Sequence, residues 1–188
     1  MLSREFCGEW AGAKLRKLPL WMGWNVEQED GEDIDFEWPT QEMFETMNPN
    51  DSLHSLEFKM RSRIGLGSVK VNLVNGESSD ALEKSGVSGD YADFWHDEKI
   101  WFKPDNSIRE VGACTKMNSI VLLQFYDSTG NKQHEYNPYD RECGNRGVSE
   151  EIRHEIADNE ELIGVYGVMD KMDSMSSFGF IVKVKSEE

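Results

Sequence analysis

Three stretches of this chain carry the same plan, and that repetition constrains the fold more than any other feature. They are "LEFKMRSRIGLGSVKVNLVNG" from Leu56, "IREVGACTKMNSIVLLQFYDSTG" from Ile108 and "LIGVYGVMDKMDSMSSFGFIV" from Leu162. Each reads as a short apolar strand, a polar turn, a serine (Ser68, Ser119, Ser177) and a second apolar strand. The starts lie about 50 to 55 residues apart, a period that marks a repeat architecture. A lone hairpin leaves an apolar face in water, so three of them packed about an axis would bury a shared core. The alternation Val69, Val71, Leu73 against Lys70, Asn72 gives a strand that turns at Asn75-Gly76. Helical periodicity is scarce. "TQEMFETM" (40–47) suits a short helical turn ended near Pro49, and Ile152–Ile156 suits a strand followed by the turn Ala157-Asp158-Asn159. Residues 77–100 and 131–152 read as long connections.

Residues 1–50 differ. They hold Trp10, Trp21, Trp24 and Trp38 and the run "EQEDGEDIDFE" (27–37), with no period-2 or 3.6 pattern. The expected organisation is an irregular, Trp-rich acidic arm over 1–50 and an all-β domain over 51–188.

The motifs carry a resemblance. "ELIGVYG…SSFGFIV" (161–182) resembles the closing unit of jacalin-like β-prism domains, in which an E-x-I-x-x-V-x-G strand leads through a variable loop to an S-L-x-F strand. It is also similar in wording to protist proteins ending in a G-V-Y-G…L-G-F-I-V unit. "SIREVGACTKMNSIVLLQFYDSTGN" (107–131) resembles the family's I-R-x-I-x-V…G-x-x-x-x-Y-x-x-x-G unit. The match spans about residues 52–185 and leaves out the arm. It implies an all-β fold of three antiparallel Greek-key hairpin units arranged as a prism.

The resemblance also implies a sugar site. In the family a glycine near the start of the first unit and a G-x-x-x-D loop let backbone amides and one carboxylate ligate vicinal hydroxyls. Here "FKPDNS" before Ile108 has no glycine, and "MRSRIGLG" (60–67) has no aspartate. The nearest set is Gly167, Asp170 and Asp173 around the loop 168–175, an incomplete match.

The formal charge of −16 speaks against nucleic acid, which needs clustered cations, and against anionic membrane surfaces. No run reaches the roughly 18 apolar residues of a membrane span, and the N-terminus does not read as a signal peptide. The three cysteines, Cys7, Cys114 and Cys143, are odd in number and widely spaced. They predict reduced thiols in an intracellular protein, cytoplasmic, cytoskeletal or organellar. "HEIAD" (154–158) has Asp158 where a zinc helix needs its second histidine. The acidic run 27–37 lacks calcium-loop order. His96-Asp97-Glu98 reads as a solvated cluster, and Cys143 in "DRECGNRG" as a free thiol. No catalytic residue, metal or cofactor is therefore predicted.

Two functions follow. The first is a non-catalytic protein-interaction module, an accessory subunit docking on protein partners through Trp10, Trp21, Trp24 and Trp38. The alternative is a carbohydrate-binding, lectin-like domain with a non-standard sugar loop.

Overall fold

The structure is a computed structural model describing residues 10, 12–22, 34–61, 65–83, 94–104, 107–117, 119–169 and 175–186. All three repeats form antiparallel hairpins. β4 (Leu53–Arg61) pairs with β5 (Gly65–Leu73), β7 (Ile108–Lys116) with β8 (Ser119–Asp127), and β11 (Glu160–Met169) with β12 (Met175–Val184).

Each hairpin is extended into its own sheet. β6 (Phe94–Trp101) joins β4, giving the order β5-β4-β6. β9 (Lys132–Tyr136) and β10 (Ile152–Glu155) flank the second hairpin in the order β10-β7-β8-β9, the 4-1-2-3 arrangement of a Greek key. The strand expected near Ile152 and the turn at Asp158-Asn159 are present. β6 and β9 fall in stretches expected to be connections. Their polar centres, Asp97-Glu98-Lys99 and Gln133-His134-Glu135, conceal edge strands.

The three sheets enclose one core. Phe58 stacks on Tyr136 between the first and second sheets, with centroids 4.9 Å apart, and Phe125 meets Phe180 between the second and third at 5.5 Å. The leading serines Ser68, Ser119 and Ser177 are all buried. Ser119 sits against Gly65, where any side chain would overlap it, so the starts of β5 and β8 meet at one end of the prism.

The third sheet corrects the reading of residues 1–50 as an irregular arm. Lys14–Lys17 (β1) pairs along Ile181–Val184, Trp21–Met22 (β2) pairs with Ser177–Phe178, and Phe36–Trp38 (β3) pairs with Val165–Gly167. These strands complete the sheet around β11–β12. At four, two and three residues they are too short to show a period, and their partners lie well over 100 residues away. The helix α1 (Gln41–Thr46) follows, its N-cap Thr40 accepting a bond from the Met43 amide, as expected for 40–47.

The outer face of this sheet is closed by the same segment. Lys183 is fully buried there. Its ammonium donates to the carbonyls of Pro49 (3.0 Å) and Asp51 (2.7 Å), lies 3.4 Å from Glu161 and sits over the Trp10 ring. A buried charge is tolerated only when paired and hydrogen-bonded in this way. Lys183 thereby anchors the crossing from the N-terminal strands into β4.

Candidate functional site

Two of the tryptophans assigned to a partner surface, Trp21 and Trp38, serve the protein's own core. Trp21 is 2% exposed. Its indole N–H donates to the Ile152 carbonyl at 2.8 Å, and its ring stacks on His154 and meets Phe178 and Phe180. Trp38 is half-buried opposite Val165 and packs against the core. Trp10 is half-buried over Lys183. Trp24 lies outside the described residues. Burial removes Trp21 from any docking surface, a correction of the sequence expectation. Its position in the sheet explains the error, because a tryptophan that completes a core is compositionally identical to one that waits for a partner.

Gly167 is corrected in the same way. Across the sheet, Phe36, Gly167, Phe178 and Trp21 lie in one row. A side chain at Gly167 would meet the Phe36 ring and the Ser177 carbonyl. The glycine leaves room for the Phe36 ring. Asp170 and Asp173 lie outside the described residues. The Asp35 carboxylate accepts from the Met169 amide at 2.8 Å. His154 of "HEIAD" is half-buried and stacks on Trp21, and among the described residues no group of three His, Cys, Asp or Glu side chains could hold a metal ion.

A different place has the shape of a site. The connection from β9 to β10 carries a cleft of about 280 Å³ lined by Tyr139, Asp140, Arg141, Glu142, Asn145, Arg146 and Val148. The sequence builds it in steps. Asn137 binds both ends of a turn, accepting from the Arg141 amide and donating to the Arg141 carbonyl, each at 2.8 Å. Further turns run from Glu142 to Asn145 and from Asn145 to Val148. Gly144 and Gly147 adopt the left-handed conformation that such tight reversals need. Val148 then bridges to Lys116, and Ser149 exchanges bonds with Thr115, which seats the loop beside the β7–β8 turn.

A disulfide locks the arrangement. Cys114 in β7 is bonded to Cys143 in the loop, with Cα atoms 5.9 Å apart and a sequence separation of 29. This overturns the expectation of reduced thiols and of a free Cys143. Three widely spaced cysteines gave no sign of a pair, because only the return of the loop along β7 brings two together. Cys7 lies outside the described residues. Replacing both Cys114 and Cys143 by Ser is expected to lower stability by about 2–4 kcal/mol in a urea melt, since the unfolded chain regains the freedom of the closed loop.

The neighbouring polar cluster on the same sheet is complete in itself. Glu151 lies across Gly112, accepts from the Tyr126 hydroxyl at 2.6 Å, and is bonded by Gln124 and Arg153. Burial, reinforced by Glu151, pushes the Tyr126 hydroxyl well above its ordinary range. A network that satisfies its own members offers little to a ligand. Elsewhere, titration governs stability. His154 is lowered by burial, and His134 by burial and then by Lys103. Glu160 is lowered first by its hydrogen bonds from Arg16, at 2.5 and 2.7 Å. A lowered histidine resists charging, so stability present above its unfolded value of about 6.5 falls as pH drops below it. A lowered carboxylate adds a second fall below its ordinary value near 4.5. Urea melts across pH are expected to show both, and Glu160→Gln is expected to diminish the lower one only.

Comparison with solved structures places this architecture. AcmJRL, a mannose binding jacalin related lectin from Ananas comosus, superposes with a TM-score of 0.52 at 16% identity, covering 92% of this chain and 99% of that one. Single chain recombinant jacalin gives a TM-score of 0.54 at 15% identity over 91% and 95%. Artocarpin complexed with Me-alpha-mannose gives 0.55 at 15% identity over 91% and 99%. The chain thus has the jacalin-like β-prism fold, as its motifs implied. No protein-family model and no curated protein matches the sequence.

Proposed function

We propose that this protein is a non-catalytic carbohydrate-binding domain that takes saccharide in the cleft formed by Tyr139–Val148. The cleft itself carries this reading. It approaches the size of a small-molecule site. Its lining offers carboxylate acceptors (Asp140, Glu142), an amide with both donor and acceptor (Asn145), guanidinium donors (Arg141, Arg146) and an aromatic ring (Tyr139). Sugar hydroxyls both donate and accept, so they call for such a mixed set. The disulfide and the Asn137 bonds hold the loop before a ligand arrives, which reduces the ordering cost of binding. The fold adds support, since relatives in architecture include a mannose binding lectin and a mannoside complex. Binding at this cleft is a non-standard arrangement, set apart from the Gly167 position that the β3 strand closes.

The Cys114–Cys143 disulfide fits an oxidising compartment, against the intracellular setting that the cysteine count suggested. Among the described residues no helix is long and apolar enough to cross a membrane. A docking role for the N-terminal segment has lost Trp21, its central anchor.

The test is a glycan array probed with the full chain and with Asn145→Ala and Tyr139→Ala. Retention of one glycan class by the wild type, lost in both variants while their melting temperatures hold, is the expected result. An array without retained glycans would sink the reading.

A further inference from the structure

We infer that the cleft's ligand is an anionic saccharide, a sugar bearing a carboxylate, with Arg141 and Arg146 as its anion-binding residues. This rests on the carbohydrate reading above and narrows it.

The first observation is the state of the arginines. The chain has 36 Asp and Glu against 20 Lys and Arg, so a guanidinium has acceptors in abundance. Arg16 is paired with Glu160, Arg153 with Glu151 and Glu110, and Arg109 donates to the carbonyls of Ile108 and Glu160. The guanidinium groups of Arg141 and Arg146 donate to no side chain or carbonyl among the described residues, although Asp140 and Glu142 adjoin Arg141 in sequence. The Arg141 Nε is buried and unpartnered, with its guanidinium 5.6 Å from the centre of the Tyr139 ring. A buried N–H left without an acceptor costs stability, and a ligand oxygen would supply one.

The second observation is backbone conformation. Asp140 and Arg146 both have φ of +50°, and their side chains line the cleft. Aspartate tolerates the left-handed region, but arginine does so at a cost, and the flanking Gly144 and Gly147 show what the loop otherwise uses there. Such a conformation in a side-chain-bearing residue is retained where the side chain is needed.

The donor set selects the ligand. A guanidinium presents two parallel N–H groups that match a carboxylate. Asp140 and Glu142 would repel a doubly charged phosphate but accept bonds from the hydroxyls of a singly charged sugar acid.

The experiment is a titration of the full chain with glucuronic acid, glucuronamide and glucose, followed by amide chemical shifts. Glucuronic acid is expected to move signals of residues 139–148 and to bind at least about tenfold more tightly than the two neutral sugars, the worth of one charge-assisted bond. Arg141→Gln and Arg146→Gln should each weaken it by about tenfold or more. Arg146→Gly should weaken binding likewise while raising the melting temperature by about 2–4 °C, because glycine relieves the left-handed backbone. A purely structural arginine would lower both. Equal binding of all three sugars at the cleft, or unchanged affinity in both Gln variants, would overturn the anionic inference and leave the carbohydrate reading standing. No shift at 139–148 with any of the three would remove both.

Discussion

Residues 51–188 alone are expected to show no cooperative thermal transition. The third sheet draws β1, β2 and β3 from the first 50 residues, and without them β12 loses every partner on one side and β11 loses β3. Two newly open strand edges invite aggregation. The core loss is larger. Leu18, Trp21 and Phe36 are all buried, and truncating such side chains costs about 2–5 kcal/mol each. Together they approach the whole stability of a typical domain, about 5–15 kcal/mol. Lys183 would also lose the Pro49 carbonyl and the Trp10 ring. Trp21→Ala is the point version of the same experiment and should cost about 3–5 kcal/mol in a urea melt. A truncated chain that melts cooperatively near the temperature of the full chain would show that the N-terminal strands are an accessory after all.

Phe180→Ala is expected to cost about 3–5 kcal/mol. The ring meets Trp21 edge-on at 5.7 Å, Phe178 at 5.1 Å and Phe125 of the second sheet at 5.5 Å, and it is 1% exposed. It therefore joins the N-terminal strands, the third hairpin and the second sheet in one cluster, and its loss leaves a cavity that rings fixed on three elements cannot close. Equilibrium urea unfolding checks this. A change below about 1 kcal/mol would mean that the site collapses around the missing ring.

Along Phe178–Ile181 successive side chains point to opposite faces, and both faces are buried. The inner face carries Phe178 and Phe180. On the outer face Gly179 lies against the Tyr166 ring and Leu20, and Lys183 is sealed under Trp10. The N-terminal segment makes the difference.

The same division runs through the molecule. What the sequence determined by itself was local: three hairpins, the Asn75-Gly76 turn, the short helical turn over 40–47 and the strand at Ile152. Each depends on residues a few positions apart, and a two-residue period or a turn signal records it. The closing motifs added the prism. Tertiary structure alone decided the rest. Trp21 belongs to the core because Ser177–Phe178 offers it an edge from the far end of the chain. Cys114 and Cys143 are bonded because the loop returns along β7. Gly167 is closed because Phe36 occupies its place. Tyr139, Arg141 and Arg146 share a cleft because Asn137 and the disulfide fold their loop upon itself. These are contacts between segments, and a pairing made over long sequence separation leaves no period in either partner from which it could be read.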